Sequence, residues 1–139
     1  MKNLENYKIE SKKVLFRADL NTPVVDGLIT DTSRIIAIKS SIEKLITNKN
    51  KIFLIAHFGR PNGAVLNKYS LSVLIPSLKE ILNVNKIFFL KSLDQDSIQK
   101  ITEEMKEGDI CLLENIRFRK EEEKIDLQFA KKISNLFDV

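Results

Sequence analysis

The residues best suited to chemistry gather in one stretch, Lys51-Ile-Phe-Leu-Ile-Ala-His-Phe-Gly-Arg-Pro-Asn-Gly63. It holds the only histidine of the chain, His57, and two of its four glycines, Gly59 and Gly63, with Arg60 between them. An imidazole and a guanidinium carried by one tight turn are donors suited to a phosphate or a carboxylate. Ile52 to Ala56, just before the turn, is a continuous apolar run with the composition of a strand buried on both faces of a parallel sheet. In open α/β sheets ligands sit beyond the carboxyl ends of the strands, where such a strand would deliver His-x-Gly-Arg-Pro. An ordinary strand-to-helix turn looks similar, and on this stretch alone the two readings weigh equally.

The basic residues add a second observation. Lys and Arg number 23 against 19 acidic residues, a formal net charge of +4. Lysines supply most of the excess. They are scattered among acidic residues at positions of outer helix faces, the pattern of a solvated surface with only a weak nucleic-acid signal. The arginines, Arg17, Arg34, Arg60, Arg117 and Arg119, fall instead at or beside strand ends and helix starts. A guanidinium is a rigid planar fork that grips an anion bidentately, whereas an ammonium is a point charge. A chain that keeps arginine for its loops is built to hold an anion.

Positioning these side chains falls to alternating strands and helices. Lys13 to Ala18 reads as the first strand, ended by Asp19-Leu-Asn-Thr-Pro23, whose proline cannot serve a central ladder. Val24 to Ile29 reads as a small hairpin turning at Asp26-Gly27. A helix follows from about Ser33 to Thr47, with Asp31, Thr32 and Ser33 as competent N-caps and Ile35, Ile38, Ile42, Leu45 and Ile46 at helical spacing. Arg34 thus lies in its first turn, where its charge adds to the positive end of the helix dipole and favours an anion. After the central strand, a helix is predicted from Ser70 or Ser72 to about Leu82, its start displaced later by Pro76. Lys86 to Leu90 is the third strand. Asp94 to about Glu107 is the third helix, capped by Asp94 or Asp96 and closed by Gly108. Asp109 to Glu114 is the fourth strand, running into Asn115, Arg117 and Arg119. Glu121 to Glu123 reads as a solvated helix start, Asp126 to Phe137 as an amphipathic helix, and Asp138-Val139 as the beginning of a fifth strand.

The 139 residues, 43% hydrophobic and 30% charged, suit one globular unit without repeats or linkers. No apolar run approaches the ~18 residues of a membrane span, and Met1 to Lys8 lacks the apolar core of a secretory signal. Cys111 sits alone in an apolar run and reads as a small buried hydrophobe. A cytoplasmic protein without nucleic-acid or membrane partners is the expectation. Strands alternating with helices imply a parallel sheet covered on its faces. Right-handed crossovers put all strand ends on one edge, so Asp19, Asn21, His57, Arg60 and Arg117 should converge there with Arg34 nearby.

Four motifs then carry a family resemblance: Val14-Leu-Phe-Arg-Ala-Asp-Leu-Asn-Thr-Pro23, Ile29-Thr-Asp-Thr-Ser-Arg34, His57-Phe-Gly-Arg-Pro61 and Leu112-Leu-Glu-Asn-Ile-Arg-Phe-Arg-Lys-Glu-Glu-Glu123. In order and spacing the chain resembles phosphoglycerate kinase, and the likeness covers essentially every residue. It corresponds to the front of that family's N-terminal domain, a three-layer Rossmann-like α/β sheet with helices on both faces. The resemblance implies that Asp19 and Asn21 hold the hydroxyl of 3-phosphoglycerate and that His57, Arg60 and Arg117 grip its phosphate. It implies that Arg34 faces the carboxyl end, where the phosphoryl group moves, and acts as the catalytic residue. Leu20, Phe58 and Gly59 accompany them in the substrate-binding segments. Arg17 and Arg119 are expected behind the site or at the surface. Two departures from the family pattern are Thr22, in place of an apolar residue, and Phe58, in place of leucine.

The family's magnesium-bound ADP or ATP would be held by a C-terminal domain that these residues do not include. The sequence accordingly has neither a Gly-x-x-x-x-Gly-Lys-Ser/Thr nor a Gly-x-Gly-x-x-Gly stretch. No metal or cofactor ligand is expected within it. The whole family protein is expected to be a monomer that passes a phosphoryl group between 1,3-bisphosphoglycerate and ADP. The 139 residues alone are expected to be inactive, marginally folded and self-associating through a sheet edge. The alternative is a non-catalytic anion-binding α/β module.

Overall fold

The computed structural model describes residue 4, residues 6–123 and residues 127–139. Its centre is a four-stranded parallel sheet in the order β1-β4-β6-β5, with β1 Lys13–Arg17, β4 Lys51–Ile55, β5 Phe88–Leu90 and β6 Ile110–Leu113. Val24–Val25 (β2) and Leu28–Ile29 (β3) form the expected hairpin. Asp26 and Gly27 both have positive φ, +50° and +75°, the geometry that lets a two-residue turn follow the right-handed twist of its strands.

Five helices complete the described chain: α1 Ser33–Thr47, α2 Ile75–Leu82, α3 Gln95–Glu104, α4 Lys120–Glu123 and α5 Leu127–Ser134. Ile52 and Leu54 face one way, into a core shared with Ile35, Ile42 and Leu45 of α1 and Leu78 and Leu82 of α2. Phe53 and Ile55 face the other way, into a core with Ile98 of α3 and Ile133 of α5. A central parallel strand is apolar on both faces because both faces are covered, which is why Ile52 to Ala56 shows no alternation. Cys111 belongs to the second core, and burial pushes its thiol up to about 12.

Several element boundaries differ from expectation, each for a local reason. The third helix stops at Glu104 and not near Glu107. Met105 turns extended and is buried, while Asp109 accepts the Lys106 amide through Oδ2 at 2.7 Å and closes a turn. Gly108 serves that turn and not the helix end, its amide donating to the Asn50 carbonyl at 2.9 Å. Asp94, not Asp96, is the cap, accepting the Ser97 amide at 2.8 Å, and its bonds from Ser92 and Ser97 hold its carboxyl well below the usual range. The second helix starts at Ile75, with Pro76 in its first turn, where a missing amide hydrogen is harmless. Ser70 caps a preceding 3₁₀ turn, Leu71–Leu74. The third strand is only Phe88–Leu90, with the Lys86 ammonium over the Phe88 ring. The last helix ends at Ser134, releasing Phe137 to pack edge-on against Phe53 at 5.1 Å. Its expected start at Asp126 lies outside the described residues.

Asp138 and Val139 dock on the outer side of β1. The Asp138 amide donates to the Lys13 carbonyl at 2.9 Å, and the Leu15 amide donates to the Val139 carbonyl at 2.8 Å. From β1 to β5 the chain steps across the sheet in one direction, and through β6 to Val139 it steps back. β4 and β6 are therefore adjacent strands whose following helices lie on opposite faces.

Candidate functional site

A crevice opens at the carboxyl end of a sheet where adjacent strands send their connections to opposite faces. Here that switch point lies between β4, which runs into His57, Gly59 and Arg60, and β6, which runs into Asn115 and Arg117. β1, on the other side of β4, brings Asp19 and Asn21 to the same edge. The three strands with chemically rich ends are contiguous. β5, whose end at Lys91-Ser92 carries no anion-binding motif, lies at the far edge of the sheet beyond β6.

The turn after β4 is held through its backbone. Gly59, at φ +61°, donates its amide to Asn21 Oδ1 at 2.9 Å and accepts from Arg117 Nη1 at 3.0 Å. Phe58 is buried, its ring edge-on to Tyr69 at 6.5 Å. Its amide and carbonyl both bond to the side chain of Asn115, at 3.1 and 2.6 Å. His57 is half-buried and Arg60 exposed, so the turn presents both while its backbone is fixed. Arg117 spends one donor on Gly59, and a guanidinium has four more to offer a ligand.

Asp19 and Arg34 form the second half of the edge. Asp19 Oδ1 accepts the Asn21 amide at 3.2 Å, and its other oxygen pairs with Arg34 Nη1. Both side chains are about half exposed, 45% for Arg34 and 58% for Asp19. An exposed pair of this kind contributes only ~0–1 kcal/mol, so an arriving anion can draw Arg34 away at little cost. Thr32 occupies the cap position of α1 without a side-chain bond. Asp31 Oδ1 does that work, accepting the Ser33 amide at 2.8 Å, which holds its carboxyl below the usual range.

The sequence-predicted residues thus divide into two groups. Asp19, Asn21, Arg34, His57, Gly59, Arg60 and Arg117 lie at the carboxyl edge. Leu20 is fully buried and Phe58 nearly so, and both side chains belong to the first core. Arg17 is exposed, and Arg119 lines a separate cavity of about 630 Å³ with Glu114, Lys91 and Phe89.

In the sequence, Glu114 and Asn115 are unassigned polar residues at a strand end. In the structure the Glu114 carboxylate receives the Leu71 and Asn115 amides at 2.9 and 2.8 Å and the Ser70 hydroxyl at 2.8 Å. The only sequence signal is an acid and an amide following a strand apolar at every position.

Thr22 shows what its departure from an apolar residue does. It is 3% exposed, and among the described residues its Oγ1 is the buried side-chain oxygen without a partner. Thr22→Val keeps the shape and removes an unpaired hydroxyl, so it is expected to raise stability by ~1 kcal/mol. A chemical denaturation midpoint measures the gain, and a midpoint moved the other way would mean that the hydroxyl finds a partner.

Among the described residues no group of three or more His, Cys, Asp or Glu side chains is placed to hold a metal ion. No described helix is long and apolar enough to cross a membrane. The sequence profile of the family described as "Phosphoglycerate kinase" matches residues 4–139. The chain belongs to the phosphoglycerate kinase family. The phosphoglycerate kinase of Wolbachia pipientis wMel is 41% identical over 137 residues, which cover 99% of this chain and 34% of that protein. "Phosphoglycerate kinase 3, cytosolic" of Arabidopsis thaliana is 42% identical, over 98% of this chain and 34% of that protein. The crystal structure of phosphoglycerate kinase from Pyrococcus horikoshii OT3 superposes with a TM-score of 0.82 at 28% identity, over 99% of this chain and 35% of that one. The chain therefore spans about a third of the length of the phosphoglycerate kinases it matches.

Proposed function

We propose that these residues are the acid-substrate part of a phosphoglycerate kinase, the front of its N-terminal domain. The carboxyl edge of the sheet takes 3-phosphoglycerate or 1,3-bisphosphoglycerate. The observation that carries this reading is that His57 and Arg60 follow β4, Arg117 follows the adjacent β6, and Arg34 pairs with Asp19 beyond β1 on the other side of β4. Four nitrogen-rich side chains at one edge are a set of charge-assisted donors suited to an anion. In this reading His57, Arg60 and Arg117 grip the phosphate, Asp19 and Asn21 meet the hydroxyl, and Arg34 leaves Asp19 for the carboxyl end.

In the whole enzyme the reaction would be reversible phosphoryl transfer between 1,3-bisphosphoglycerate and ADP, giving 3-phosphoglycerate and ATP. Such transfer depends on positioning and on neutralising charge on the moving group, the part proposed for Arg34. The family's other ligand would be a magnesium-bound nucleotide. We assign that ligand to the remaining length of the family protein, which would close over the acid substrate and exclude water. By themselves the 139 residues would bind without turnover, checked by a coupled assay. They would also self-associate through the sheet edge at Asp138-Val139 beside β1, checked by light scattering. A cytoplasmic setting is supported by the cytosolic naming of one relative.

The test of the site is a titration of 3-phosphoglycerate into Arg60→Ala and Lys79→Ala. Loss of a charged, hydrogen-bonded contact is expected to cost ~1.5–3 kcal/mol of binding in the first and very little in the second, whose lysine lies on α2. Equal losses would transfer the affinity to diffuse lysine charge and overturn the assignment.

A further inference from the structure

Asn115 is 2% exposed, and it is separated from the end of β6 at Leu113 by Glu114 alone. Its Oδ1 accepts the Phe58 and Arg117 amides, both at 3.1 Å. Its Nδ2 donates to the Phe58 carbonyl at 2.6 Å and the Tyr69 carbonyl at 2.9 Å. Two lone pairs and two N–H groups are thereby all used, and rotating the amide by half a turn would break every bond, so its orientation is fixed by its partners.

These bonds continue the sheet where its backbone ladder ends. β4 and β6 pair up to Leu54 and Leu112, and the Ile116 amide adds a bond to the Ala56 carbonyl at 3.1 Å. Beyond that the strands diverge, and the Asn115 side chain takes the place of a neighbouring strand, engaging Phe58 through both its amide and its carbonyl. Phe58 lies between His57 and Gly59. Arg117 is bound at its own amide by Asn115 and reaches Gly59 through its guanidinium. A single buried amide therefore joins the His57–Arg60 turn, the Tyr69 segment and the Arg117 segment.

We propose that Asn115 is a positioning residue of the anion site, fixing His57, Arg60 and Arg117 relative to one another while touching no ligand itself. The inference rests on the acid-substrate reading above. A carboxylate could not replace the amide, because the oxygen in place of Nδ2 would be an acceptor set against both the Phe58 and Tyr69 carbonyls.

Asn50 supplies a matched control at the opposite end of the sheet. It is also fully buried, accepting the Lys12 amide at 3.0 Å and donating to the Ile9 and Leu45 carbonyls at 2.9 and 3.0 Å. None of its partners belongs to the carboxyl edge. The experiment measures 3-phosphoglycerate affinity and denaturation midpoint for the wild-type chain, Asn115→Ala, Asn115→Asp and Asn50→Ala. Both Asn115 variants are expected to lose about ten- to hundredfold in affinity, the penalty of ligand groups misplaced by a fraction of an ångström. Asn50→Ala is expected to lose stability comparably and to keep its affinity. Equal affinity losses in all three, or an unchanged affinity in a folded Asn115 variant, would overturn the proposal.

If neither Asn115 variant folds, amide hydrogen exchange on the wild-type chain decides. The Phe58 and Arg117 amides are expected to be protected like ladder amides, and exchange as fast as that of exposed loop amides would overturn the clamp. A wild-type chain without affinity for 3-phosphoglycerate would instead overturn the acid-substrate reading, and the exchange measurement would still test the clamp.

Discussion

Gly59→Ala is expected to cost about 2–4 kcal/mol of stability and most of the anion affinity. Two penalties add at this position. At φ +61° any residue with a Cβ is strained by about 1–2 kcal/mol, and the new carbon would fall well inside van der Waals contact with Cδ1 and Cε1 of Tyr69. The ring cannot swing away freely, because it packs edge-on to Phe58 and carries the Lys68 ammonium over its face. If the turn moves instead, Gly59 loses Asn21 and Arg117 together, and His57 and Arg60 move with it. Gly27→Ala separates the two penalties, since Gly27 has φ +75° and a methyl group there would meet nothing within 4 Å. It is expected to lose only the strain, about 1–2 kcal/mol, and no affinity. Equal melting shifts in the two variants would show that the approach of Tyr69 is not what requires glycine.

Phe53→Ala is expected to leave the chain close to unfolded. Phe53 is fully buried in the second position of the apolar run of β4, paired in register with Leu15 and Cys111 and edge-on to Phe137. Removing such a ring costs ~3–5 kcal/mol, a large part of the ~5–15 kcal/mol that ordinarily holds a domain of this kind together. The loss should spread to Asp138 and Val139, whose bonds to β1 follow directly on Phe137. Val65→Ala is the comparison, because Val65 is 75% exposed and its truncation should change stability by no more than ~0.5 kcal/mol. Urea denaturation measures both, and similar midpoints would place the stabilising core elsewhere than around β4.

The alternation of strands and helices was legible because periodicity is a local property, and so was the arginine bias toward strand ends. Strand order was not, because pairing is decided between segments far apart in the chain. The consequence is specific. That β6 and not β5 lies beside β4 is what brings Arg117 to Gly59, and no pattern within either segment announces it. Helix ends were legible at Asp94, where a side chain caps the helix, and at Thr47 and Leu82, where the apolar periodicity stops. At Met105 burial in the second core and the Lys106–Asp109 turn end the helix early, and a helical pattern cannot show that. The buried amides were hidden for another reason. Asn50 and Asn115 stand among polar neighbours and look like surface turn residues, and only the fold reveals that each replaces missing backbone partners.

The central claim, that the carboxyl edge between β4 and β6 is an acid-substrate site, is tested most directly by titrating 3-phosphoglycerate into the ¹⁵N-labelled chain and following its amide and arginine side-chain signals. Saturable shifts are predicted at Asn21, Arg34, Gly59, Arg60 and Arg117, with Asn50 and the Lys106–Asp109 turn at the other end of the sheet unmoved. Shifts scattered over the lysine-bearing helix faces, or none at these residues, would contradict it.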